Sequence, residues 1–153
     1  MDERTDDARF LEAAIEQARI GRGEGGVPIG AALVVGGEVL GAGRNRRVQE
    51  GSAIRHGETD ALERAGRLHA SVYARATMYT TLSPCHMCTG AILLYGIPRV
   101  VIGENRTFMG AEDLLRAHGV EVVNLDSGEC VRLMEEFIAE HPEIWFEDIG
   151  EER

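Results

Sequence analysis

Two short segments hold the side chains best suited to chemistry: His56-Gly57-Glu58, and Ser83-Pro84-Cys85-His86-Met87-Cys88. One imidazole and two cysteines three apart are the donor types that hold zinc tetrahedrally. Three protein ligands with a free fourth position make a catalytic zinc site, whereas a structural site is closed by four. A zinc ion held by His56, Cys85 and Cys88 would make water acidic enough to supply hydroxide near neutral pH. Glu58 is two residues from His56, roughly opposite it on an ideal helix, and so a poor co-ligand. It can still lean back as the group that carries a proton to and from the reacting centre. A C-x-x-C alone reads equally as redox or metal-binding, and the His-x-Glu upstream decides for metal.

Other reactive types take plainer readings. His86 sits one residue round the helix from Cys85, which turns it from the metal. His69, His118 and His141 lie in polar surroundings and read as solvated. Cys130 shares an apolar stripe with Leu133, Met134 and Phe137 and reads as a core thiol. Asp60, four residues after His56, either orients the imidazole or is an acid favoured by the helix dipole. Ser83 is placed as the N-cap of the third helix, and with Asp60 as a candidate support of the metal ligands.

These residues need elements to position them. Phe10, Leu11, Ala14, Ile15, Ala18 and Ile20 recur at helical spacing, predicting a helix from about Asp6 to Gly21. Ile29 to Val35 and Glu38 to Leu40, joined by Gly36-Gly37, predict a hairpin. Residues Gly41 to Gly51 read as a loop containing Asn45. A second helix is expected from His56 to Ala65, closed by Gly66. A strand follows at Thr77 to Thr81. The third helix would start at Ser83 with Pro84 in its first position and both cysteines in its first turn. There the dipole favours thiolate. Arg99 to Gly103 and Val120 to Leu125 predict strands, and Ala111 to Ala117 and Glu129 to Glu140 helices. Pro142 is expected to break the chain before an acidic tail. The expected fold class is α/β, a three-layer α/β/α sandwich around a mixed five-stranded sheet, with the ligand site beyond the strand ends.

Composition sets the outer limits. A chain of 153 residues suits one domain. The net charge is -10, and all 16 basic residues are arginine. That balance disfavours a nucleic-acid partner, whose binding draws on basic side chains, and favours a small neutral substrate. Without lysine there is no Schiff-base chemistry. Three cysteines, two of them in the C-x-x-C, do not make a disulfide framework. No apolar stretch is long enough for a membrane span. The acidic N-terminus is unlike a secretory signal, so the expected address is cytoplasmic.

A His-x-Glu followed by Pro-Cys-x-x-Cys is the signature of zinc deaminases of nucleobases. The chain resembles the cytidine deaminase-like superfamily, and within it the small cytosine deaminases of fungal type. The likeness covers almost the whole chain: Glu24-Gly25-Gly26-Val27-Pro28-Ile29-Gly30, Gly51-Ser52-Ala53, His56-Gly57-Glu58, Gly66-Arg67-Leu68, Tyr79-Thr80-Thr81-Leu82-Ser83-Pro84-Cys85, Met87-Cys88-Thr89-Gly90-Ala91-Ile92, Tyr95-Gly96-Ile97-Pro98-Arg99, Gly103-Glu104-Asn105 and Trp145-Phe146-Glu147-Asp148-Ile149-Gly150. The resemblance implies a single zinc-dependent deaminase domain over 1–153, with 141–153 as a C-terminal lid. It implies one Zn2+ per subunit and a homodimer that turns cytosine into uracil and ammonia in pyrimidine salvage. Asn45 and the Gly57 N–H would hold the ring carbonyl. Asp148 would meet the leaving amino group, and Phe108, Trp145 and Ile29 would wall the ring. Fungal-type enzymes carry an aliphatic residue and a serine where this chain has Thr59-Asp60. Other amino-heterocycles (creatinine, isocytosine, guanine or a pterin) stay open as substrates, as does, with less support, the adenosine of a tRNA.

Overall fold

The computed structural model describes the backbone of residues 3–152 and the side chains of 6–152. Met1, Asp2 and Arg153, at the ends of the predicted domain and lid, lie outside the described residues. Helix α1 (Glu3–Gly23) precedes a hairpin of β1 (Gly30–Val35) and β2 (Glu38–Arg44). Then come α2 (Arg47–Glu50), α3 (Gly57–Ala65), α4 (Ala70–Tyr73), β3 (Ala76–Thr80), α5 (His86–Leu94) and β4 (Arg99–Ile102). The chain continues with α6 (Glu112–Ala117), β5 (Glu121–Asn124), α7 (Gly128–Glu140) and α8 (Pro142–Asp148).

The strands form one sheet in the order β2-β1-β3-β4-β5. β1 is antiparallel to β2 and β3, while β3, β4 and β5 run parallel. The sheet is therefore mixed and five-stranded, as expected. Gly36 and Gly37 turn the hairpin with φ of 57° and 81°, the left-handed pair that a two-residue turn requires. Alternation along the strands feeds both faces. Ala31, Leu33, Met78, Val100 and Ile102 pack with Ala61 of α3, Ile92 of α5 and Leu115 of α6. Ala32, Val34, Tyr79 and Val101 pack with Phe10, Leu11, Ala14 and Ile15 of α1 and Cys130 of α7. Cys130 is the core thiol its stripe predicts, and burial pushes its pKa up to about 11. A third cluster, Val27, Ile29, Leu82, Met134, Phe137 and Trp145, closes one end of the molecule.

Three expectations change. The segment from Gly41 was expected to be loop, yet β2 runs to Arg44. Its glycines are strand residues that let a helix backbone approach: a Cβ on Gly41 would lie 2.4 Å from Ala65 N, and one on Gly43 2.5 Å from Ala61 N. Pro142 does not break the chain into an irregular tail but occupies the first turn of α8, where its missing N–H costs nothing. Ser83 is not a helix cap, because α5 begins later, with Cys85 at its N-cap.

The N-terminal helix is fastened by a buried ion pair. Asp7 accepts bonds from Arg99 at 2.8 and 2.7 Å and from the Tyr79 hydroxyl at 2.7 Å. Burial alone would raise its pKa, but the Arg99 guanidinium and the Tyr79 hydroxyl outweigh it and hold the carboxyl below the ordinary 3.8. A lowered carboxyl contributes stability above its unfolded pKa and loses it as pH falls through the folded value. Asp7→Asn should cost roughly 2 kcal/mol at pH 7, since it removes the carboxylate that accepts two guanidinium bonds and leaves Arg99 paired with Glu121 at 3.4 Å. It should also flatten the acid limb below about pH 4, relative to the wild type, in denaturant unfolding followed across pH.

Candidate active site

The ends of two helices build the site. His56 is the N-cap of α3, with extended φ and ψ of -80° and 172°. Cys85 is the N-cap of α5, at -70° and 176°. Cap residues lie outside the helical spiral, so their side chains swing across the helix mouth instead of down its flank. Cys85 at the cap and Cys88 at the third position of α5 stand one turn apart on the same side of the helix start. His56 N–H donates to Thr59 Oγ1 at 2.9 Å, which fixes the entry into α3.

His56 Nδ1 lies 3.4 Å from Cys85 Sγ and 3.7 Å from Cys88 Sγ. One donor atom from each residue lies within 4.8 Å of the other two. Two sulfurs and one imidazole nitrogen at this separation fit a tetrahedral zinc ion with one corner open to the pocket. The other ring nitrogen, Nε2, is 3.8 Å from Asp148 Oδ2, an arrangement that leaves Nδ1 to face the sulfurs. The Cys85 pKa falls to about 4, because the Cys88 thiol donates to it and the His56 ring adds charge, against the penalty of burial. Cys88 goes well above its ordinary value, as the proton donor and as a buried group. A divalent ion displaces such protons, because thiolate and neutral imidazole are the ligating forms.

Glu58, the second residue of α3, is 4% exposed. Its position opposite His56 on an ideal helix does not arise, because His56 stands outside the helix and both side chains line one cavity. Burial, then the Cys85 thiolate, push its pKa up to about 7, with the His56 ring opposing. A carboxyl near neutrality can both take and return a proton.

Asp148 lines the cavity, and Asn45 stands against it. Asn45 is fully buried, its N–H bonds to Ile29 O at 2.9 Å, and its Oδ1 accepts from Arg47 N at 3.0 Å. Only the amide NH2 therefore points into the site, where it meets both Asp148 oxygens at 3.2 Å. Burial raises the pKa of Asp148, with His56, Asn45 and Arg47 opposing. Gly57 opens α3, so its N–H has no partner within the helix. A Cβ there would come within 3.2 Å of Ile29 O. Ile29, Phe108 and Trp145 wall the space with Leu82 and Ile149, and the Phe108 and Trp145 rings meet edge-on at 5.8 Å. The volume is about 20 Å³, water-sized and smaller than any ring.

Two expected supports of the ligands do other work. Ser83 donates to Glu112 at 2.6 Å and accepts from Gly110 N at 2.9 Å, so it fastens the segment that carries Phe108. The fully buried Asp60 makes no bond to the imidazole; its partners are Arg44 N, Arg46 and Arg55. His86 is exposed and outside the donor cluster. The sequence reading missed Arg47, which bonds Glu147 at 2.6 and 2.9 Å and Asp148 at 3.2 Å. It also missed Glu104, fully buried, which bonds Arg106 N and Thr107 N at 2.7 and 2.9 Å. A charged residue in a polar stretch gives no periodic signal of burial. Metal-free protein should take up one zinc per chain, and Cys88→Ser should weaken that uptake by more than about 100-fold, beyond the usual effect of outlying partners, as measured by competition with a chromophoric chelator.

Comparison with known proteins agrees with this geometry. Residues 4–104 match the family model for the cytidine and deoxycytidylate deaminase zinc-binding region. A cytosine deaminase from Candida albicans is 56% identical over 95% of this chain and 98% of its own length. A tRNA-specific adenosine deaminase from Streptococcus pyogenes is 33% identical over 84% of this chain and 87% of its own. Among solved structures, a tRNA:A34 deaminase superposes with TM-score 0.70 at 28% identity, covering 82% of this chain and 99% of that one. A Thermotoga maritima diaminohydroxyphosphoribosylaminopyrimidine deaminase/reductase gives 0.73 at 28% identity, covering 91% of this chain and 43% of that one. With a matched donor set and a full-length relative in common, the chain belongs to the zinc-binding cytidine and deoxycytidylate deaminase family.

Proposed function

We propose that this enzyme hydrolyses the exocyclic amine of a free pyrimidine base, converting cytosine to uracil and ammonia. The pairing of Asn45 with Asp148 beside the donor triad carries this reading. One is a buried amide donor, the other a buried carboxylate acceptor, and each now satisfies the other. A cytosine ring offers a carbonyl to the first and an amine to the second, so it can replace their mutual contact without stranding either. Full-length identity of 56% to a cytosine deaminase supports the same substrate.

His56, Cys85 and Cys88 would hold the zinc, which would supply the Lewis acid that lowers the pKa of water. Glu58 takes one proton of the attacking water and passes it to the ring nitrogen, then carries the water's second proton to the amine, so that a C–O bond replaces the C–N bond and the amine leaves as ammonia. The Gly57 N–H and the Asn45 amide hold the ring carbonyl. Asp148 orients the amine, and Ile29, Phe108 and Trp145 exclude solvent from the ring.

We read α8 and the residues after it as a lid. The space beside Glu58 is smaller than a base, and a hollow of about 480 Å³ bordered by His56, Cys85, Phe108 and Asp148 adjoins it, so a shift of α8 would join the two and admit the substrate. Arg47 is its catch, since it grips Glu147 and Asp148 together. The same reading places the enzyme in pyrimidine salvage, in the cytoplasm, as a homodimer. Among the described residues no helix is long and apolar enough to cross a membrane. The exposed Leu94 and Tyr95 border a groove of about 670 Å³ between α3, α4 and α5, which suits a second copy.

Glu58→Ala should keep stoichiometric zinc but lose roughly 10²–10⁴-fold in kcat, the range for a positioned acid–base group; ammonia release and metal analysis on the same sample check both. Ammonia release over a panel of bases tests the ring, and turnover of guanine or creatinine with none of cytosine would reject the assignment. Arg47→Gln should raise KM about fivefold through loss of roughly 1 kcal/mol in a half-exposed ion pair, read from initial rates.

A further inference from the structure

Asp60 lies four residues after His56 and two after Glu58, and it is fully buried. Its Oδ2 accepts from Arg44 N at 2.9 Å and from Arg46 Nε at 2.9 Å. Its Oδ1 accepts from Arg55 Nε at 3.1 Å, and Arg64 Nε stands 3.7 Å from Oδ2. Arg44 and Arg46 flank Asn45 on both sides. Arg46 and Arg55 are the two stems of the segment that carries α2 and Arg47, and Arg46 N also bonds Arg55 O at 2.9 Å. One carboxylate on α3 therefore grips both neighbours of the ring-reading amide and closes the base of the loop that holds the lid catch.

We propose that Asp60 is a positioning residue for substrate: it ties Asn45 to the helix that carries His56 and Glu58, and so sets the span between the amide that reads the ring carbonyl and the groups that act on the reacting carbon. A buried ion cluster is a poor device for stability alone, because apolar residues of similar volume serve as well or better. What the cluster adds is direction. A main-chain N–H and two guanidinium Nε donors meet one planar acceptor, which leaves Asn45 little freedom to turn. The ring's contact with Asn45 is made in both bound ground state and transition state, so loosening it should act mainly on KM.

This inference rests on the pyrimidine reading above. The test is Asp60→Asn, which keeps the shape of the side chain but turns one acceptor into a donor facing other donors. KM for cytosine and the calorimetric Kd for uracil should both rise about tenfold while kcat stays within about threefold, with one zinc per chain retained. In an Asn45→Ala background the same change should add less than about twofold, because coupled residues are not additive. Arg46→Gln, which cuts the tie to Asp60 together with a longer contact to Glu50 at 3.5 Å and spares the helix, should raise KM about threefold; it carries the test if Asp60→Asn fails to fold, and an unchanged KM there overturns the proposal. A lower melting temperature with unchanged KM and Kd would make Asp60 merely structural and overturn the proposal. So would a tenfold effect that persists without the Asn45 amide. Absence of cytosine turnover in the wild type would overturn both this inference and the functional reading, whereas normal wild-type turnover with a silent Asp60→Asn overturns the inference alone.

Discussion

The site depends on two helix starts facing each other across the end of the sheet. His56 and Cys85 are 29 residues apart in the chain, yet their donor atoms approach to 3.4 Å. Neither α3 nor α5 can shift along its axis without opening that gap. Both are seated on the same sheet face, through Ala61 and Ile92 respectively. The close approach of α3 to β2 at Gly41 and Gly43 brings its start within reach of α5. A side chain at either glycine would push α3 outward and pull His56 from the sulfurs. The metal geometry is thus written partly into two residues with no side chain at all.

Much of this was legible in the sequence, and the unread parts share a cause. The donor triad, Glu58, the hairpin and the succession of strands along the chain follow from residue type and periodicity. The start of α5 did not, because Ser83-Pro84 is a good cap sequence while the actual cap is a cysteine that local rules do not favour. Tertiary demand overrode it: Ser83 is taken by Glu112 and Gly110. The extension of β2 was hidden because glycine reads as a loop former when a strand needs it only for clearance. Asp60 keeps the plainer of its two expected roles, an acid in the first turn of α3. Its four-residue offset from His56 suggested help for the imidazole, but Asp148 stands against that ring instead.

The acidic balance of the chain also resolves into structure. The arginines nearest the site are engaged: Arg44 with Glu24, Arg46 and Arg55 with Asp60, Arg47 with Glu147 and Asp148. They form internal ties, and none of these pairs presents a basic surface of the kind that a nucleic-acid backbone needs. The metal motif shared with the tRNA-specific relatives reports the reaction and not the ring. The residues proposed to read the ring, Asn45 and Asp148, lie 11 positions before His56 and 92 after it.

The proposed lid gives a reason for Asn45 and Asp148 to come from distant segments. If both lay on rigid elements of the sheet, a base could reach them only through a permanent opening, and water would reach Glu58 by the same route. Asp148 belongs to α8, so in that proposal the acceptor for the amine travels with the cover, and one movement completes recognition and excludes solvent. Asn45 and Asp148 satisfy each other's hydrogen bonds. A base that offers an acceptor and a donor at the matching separation could take over both bonds. One that offers two donors, or two acceptors, would leave a buried partner unsatisfied, at a penalty of about 1–3 kcal/mol. On the proposed roles, selection among rings of similar size follows from that pairing.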